Sequence, residues 1–111
     1  MVNLNQIKER YFKEPLDRRL GHLASDMLKI SSFLDNPKNI AVVNDIIEES
    51  KFFIEWNARE VPSNVQEFFA DIQPILALWQ RHLENPSVKQ NLKKSAKNWS
   101  SQLLEFSGLR A

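Results

Sequence analysis

The chain has few residues able to do chemistry. It has two histidines and no cysteine. Metal sites in helical bundles use inward carboxylates with Glu-x-x-His pairs, a spacing that puts two ligands on one helix face. Here Arg19 stands three residues before His22, and Trp79 stands three before His82. Neither forms that pair. A hydrolytic serine needs an elbow and a base beside it, and the chain contains no Gly-x-Ser-x-Gly. Glycine-rich phosphate loops are absent too. His22 falls with Arg18, Asp26 and Lys29 on the outward side of a helix, and His82 at the edge of an apolar stripe. The reading is therefore of a protein that is not an enzyme and uses neither metal nor cofactor.

Two patterns remain that could bind something. Lys89, Lys93 and Lys97 recur at one-turn spacing with Lys94 beside them, a basic face that could neutralise phosphates. It lacks an aromatic residue or arginine to stack on a base. Residues 37–85 carry four Lys/Arg against eight Asp/Glu, and residues 86–111 carry five against one. The plainer use of the lysines is thus internal pairing, with Asp26 and Asp35 as partners. The second pattern is a lateral extension of the most apolar stretch, Asn36 to Asn57. Val43, Ile46, Ile47, Phe53 and Ile54, with Ile40, fill one side of a helical wheel, and Val42, Phe52 and Trp56 widen that face sideways. Ser50 and Asn57 lie inside it. Ser50 can bond the carbonyl of Ile46 one turn back, and Asn57 is placed near the helix end, within reach of water or free backbone.

These residues must be positioned by helices. The 111-residue chain has 42% hydrophobic and 26% charged residues and two glycines, which fits one helical domain spanning 1–111. A leading helix is expected from Asn3, a cap, to Phe12, carrying Leu4, Ile7 and Tyr11. Four long helices follow. The first, from Glu14 to Leu34, has a heptad seam of Leu16, Leu20, Leu23, Met27, Ile30 and Leu34. The second begins at Asn36-Pro37 and the fourth at Asn85-Pro86, each a capping side chain before a proline. The third, from Ser63 to Glu84, opens on a capping box of Ser63 and Gln66 and is kinked at Pro74. The fourth ends at Gly108, a left-handed cap, with Leu109 as its apolar contact. Short connections make chain neighbours antiparallel. The expected fold is all-α: an up-down-up-down antiparallel four-helix bundle with a short additional N-terminal helix.

No stretch is apolar enough for a membrane span or a signal peptide, and cysteine is absent, so the expected setting is the cytoplasm. Functionally the sequence reads as a protein-interaction module that binds a partner or a second copy through Val42, Phe52 and Trp56. The alternative is weak nucleic-acid or anionic-partner binding through Lys89, Lys93, Lys94 and Lys97. Small-molecule binding within the bundle ranks third.

Overall fold

Asparagine side chains start three of the helices. In the computed structural model, which describes residues 3–108, Asn3 accepts hydrogen bonds from the amides of Asn5 and Gln6 and opens α1 (Leu4–Lys13). Pro15 then breaks the chain, since it fixes φ and lacks an amide proton, and α2 (Leu16–Phe33) begins on a new axis. Asn36 caps a short 3₁₀ turn (Pro37–Asn39) that leads into α3 (Ile40–Asn57). After α4 (Ser63–Gln80), Asn85 caps the amides of Ser87 and Val88 to start α5 (Pro86–Ser107). Among the described residues there are five α-helices and no strand. The fold is all-helical, with a Cα radius of gyration of 13.6 Å.

Two local expectations change, the capping box of Ser63 and the end of the third long helix. Ser63 is the first helical residue and caps nothing, while Gln66 donates instead to the carbonyl of Ala58 at 2.9 Å. Helix α4 runs unbroken through Pro74 and stops at Gln80, four residues short of the Glu84 boundary. Gly108 does take up the left-handed conformation, at φ 75°, but Leu109 lies outside the described residues.

Among the described residues Leu23, Met27, Ile30, Val43, Ile47, Ile54, Ile72, Leu76, Leu92 and Leu103 are the large apolar side chains that are fully buried. They come from α2, α3, α4 and α5, so each of these helices gives one stripe to a common core. Burying each such side chain stabilises the fold by roughly 1.5–3 kcal/mol, and truncating one such as Leu23 to alanine would cost about 2–5 kcal/mol.

The most apolar helix is not the most heavily packed one. That place belongs to α2, which lies against both α3 and α5. Its seam with α5 is close because small residues face each other there: Ala24 and Ser31 on one side, Ala96 and Ser100 on the other, all buried. Two serines exploit the proximity. Ser100 Oγ donates to the carbonyl of Ala24 at 2.7 Å, and Ser31 Oγ to that of Lys93 at 2.9 Å. Further contacts join α3 to α4 and α4 to α5, closing a ring of four helices.

Candidate functional site: a groove between α1 and α3

The spacing of Ile7 and Tyr11, one turn apart, gives α1 a single apolar edge, and that edge rests on the flank of α3. The Tyr11 ring stacks on Phe53 with centroids 4.1 Å apart and lies 5.6 Å from Trp56, while Phe12 approaches Trp56 at 6.4 Å. Part of the flank read from the sequence as open is thus covered by the leading helix. The rest forms a groove of about 420 Å³ lined by Leu4, Ile7, Asp45, Glu48, Glu49, Phe52, Phe53 and Trp56. Of the three predicted interaction residues, Phe52 and Trp56 line the groove and are half-buried. Val42 stands outside that lining, 45% exposed. Leu4, which belongs to the apolar stripe read from the sequence, and Phe12 are also exposed. Leu28 and Leu78 are single exposed residues on α2 and α4.

A closed ring of hydrogen bonds holds the groove's α1 wall. Asn57 Nδ2 donates to Tyr11 Oη at 2.6 Å, Tyr11 Oη donates to the carbonyl of Arg19 at 3.1 Å, and Arg19 Nη1 donates to Asn57 Oδ1 at 3.2 Å. The guanidinium also grips both carboxylate oxygens of Glu60, and its Nε donates to the carbonyl of Glu14 at 3.1 Å. Phe12 lies over it, with 5.0 Å between the guanidinium carbon and the ring centroid. Arg19 and Asn57 are both buried, so Asn57 is satisfied inside the protein and not by water at a helix end. Burial pushes the Tyr11 hydroxyl above its ordinary range, against the opposing effects of the Asn57 hydrogen bond and the Arg19 charge, and keeps it a neutral donor. Arg19's hydrogen bonds hold the Glu60 carboxyl below the usual range. Ser50, fully buried, bonds the carbonyl of Ile46 at 2.8 Å.

Asp26 contradicts the outward placement read from the sequence. It is 6% exposed, and its Oδ2 has no hydrogen-bond partner. Loss of hydration, followed by hydrogen bonding and repulsion from the neighbouring Glu49 carboxyl, raises its pKa to about 9, with Lys29 opposing. Glu49 lines the groove, so an acidic pair stands beside it. Glu48 is tied to Gln80 at 2.7 Å and Lys51 at 3.2 Å, and these bonds, Gln80's first, lower its pKa.

On the basic side, Lys93 is paired with Asp35 of the α2–α3 connection, whereas Lys94 and Lys97 are exposed and in no ion pair among the described residues. Asp26 takes no part in that face. His22 is exposed on α2; His82, also exposed, lies with Lys38 and Arg81 along a shallow hollow at the start of α3. No group of three or more His, Asp or Glu side chains among the described residues is placed to hold a metal ion. None of the described helices is long and apolar enough to cross a membrane. In comparisons with protein-family models, curated proteins and solved structures, nothing matches this chain.

Proposed function

We propose that the chain is a non-enzymatic interaction module whose binding surface is the groove between α1 and α3. The observation that carries this reading is the groove's lining: aromatic and aliphatic side chains, Leu4, Ile7, Phe52 and Trp56, left partly uncovered beside carboxylates. Aromatic residues set in a partly desolvated hollow are the usual anchors of protein interfaces. The buried Tyr11–Arg19–Asn57 ring supports it further, because it fixes α1 as a wall and preorganises the hollow.

The architecture we propose around it is the up-down-up-down bundle with α1 as an added helix. Cross-helix contacts support that order. On α2 and α3, Arg19 meets Asn57 and Asp26 meets Glu49. On α2 and α5, Ala24 meets Ser100 and Ser31 meets Lys93. In both pairs the residue numbers run in opposite senses, as antiparallel neighbours require.

The test compares wild type with Phe52→Glu, which puts a charge in the groove without removing a member of the hydrogen-bonded ring. Both proteins are used as bait in extracts of the source cells and run in sedimentation velocity. The expected result is one species, a partner or a larger oligomer, that is present with wild type and lost with Phe52→Glu at an unchanged melting temperature. Identical behaviour of the two folded proteins would overturn the proposal.

A further inference from the structure

The groove's charge and length specify what would fill it, given the proposed interface. Asp45 and Glu49 lie one helical turn apart on α3, and neither is in an ion pair among the described residues. Of the groove's three carboxylates only Glu48 is neutralised, by Lys51. The lining runs along α3 from Asp45 to Trp56. At 1.5 Å per residue that is a trough of about 16 Å, some three helical turns. Such a length suits a helix presenting apolar anchors at i, i+3 or i+4, and i+7. A small organic cation would occupy only part of it.

We propose that this groove binds an amphipathic helix of a protein partner that carries Lys or Arg beside its apolar anchors. The anchors lie on Phe52 and Trp56, and the cations reach Asp45 and Glu49. Charge complementarity of this kind selects the partner and speeds its approach. A second copy of this chain is a poor occupant. Its most basic helix is α5, whose apolar residues Leu92, Ala96, Trp99 and Leu103 are already buried in the core, and its other basic helix, α1, is held through Tyr11 as the groove's own wall. Folded α5 therefore offers lysines without an anchor stripe.

The experiment uses three synthetic helical peptides of about 18 residues with one leucine stripe, flanked by Lys, by Gln or by Glu. Each is titrated into the full chain while the indole signal of Trp56 is followed by NMR. The Lys peptide is expected to shift that signal saturably and to bind at least about ten-fold more tightly than the Glu peptide at low salt, the gap closing as salt rises. The Asp45→Lys/Glu49→Lys double variant should reverse the preference. Since Glu49 touches Asp26, Asp45→Lys alone serves as a second variant and should narrow the preference with the fold intact. Equal binding of all three peptides at Trp56 would overturn the charge assignment and leave the interface standing. If no peptide moves Trp56, the interface itself falls. A wild-type dimer that the double variant dissociates would name a second copy as the occupant and overturn the partner assignment.

Discussion

Replacing Asp26 by asparagine should make the protein more stable at neutral pH, by an amount that depends on pH. In the folded state the Asp26 carboxyl titrates at about 9, against 3.8 when free in solution. Between these values the native protein holds a proton that the unfolded chain has released. Stability then falls as pH rises, at about 1.4 kcal/mol per pH unit. The favourable contribution of the protonated carboxyl is complete below about pH 3.8 and exhausted near pH 9. At about pH 7, three units above the free value, holding the proton costs on the order of 4 kcal/mol at most; local relaxation reduces that to a few. Asparagine keeps the shape, has no proton to hold, and can donate its Nδ2 to Glu49. Asp26→Asn should therefore gain about 2–3 kcal/mol at pH 7 and nothing near pH 4. In a chain of this size that is roughly a 10 °C rise in melting temperature. Urea denaturation of both proteins from about pH 4 to pH 8 measures the difference directly. A difference that does not change with pH, or a loss at neutral pH, would show that Asp26 is ionised in the fold and refute the argument.

Tyr11→Phe deletes the hydroxyl that Asn57 donates to and should cost about 1–3 kcal/mol in urea denaturation, far more than a surface tyrosine. Glu60, whose pKa is lowered by Arg19, contributes stability that is present above its unfolded value and lost as pH falls through its folded value. Glu60→Gln should accordingly remove part of the acid sensitivity seen below about pH 4.5, read from melting curves against pH. Pro74→Ala restores a backbone donor inside the continuous α4 and should keep the fold with an equal or higher melting temperature. Binding of oligonucleotides should be weak and fall steeply with salt, since Lys93 is engaged by Asp35 and only a few lysines remain; tight, salt-resistant binding measured by fluorescence anisotropy would put the function on α5 instead.

What could be read from the sequence was whatever depends on near neighbours in the chain. Asn36 and Asn85 cap amides two residues on, and Ser50 bonds a carbonyl four residues back, so type and local spacing were enough. The heptad seam of α2 likewise predicted Leu20, Leu23, Met27 and Ile30 as core. Two residues of that helix were misread, Arg19 by omission and Asp26 by direction. They are seven apart, each preceding a seam residue (Leu20, Met27), and so flank the seam on one side. A charged residue in that position is ordinarily solvated, which is why composition gave no warning. The decisive partners of Arg19 are Asn57 and Glu60, 38 and 41 residues away, and only the packed fold brings them together.

The same two residues explain why the flank of α3 is neither fully covered nor fully open. Arg19 draws Tyr11 and Asn57 together near the C-terminal end of α3, which brings the end of α1 down on Phe53 and Trp56. Toward its start α1 has no comparable hydrogen-bonded anchor among the described residues. Leu4 remains exposed, and no basic side chain of α1 is in an ion pair with Asp45 or Glu49 among the described residues, Lys8 lying instead 5.9 Å from the rings of Phe12 and Trp56. The groove is thus the space between a helix fastened at one end and the carboxylates of α3. A cationic helix can supply there the charge that α1 does not.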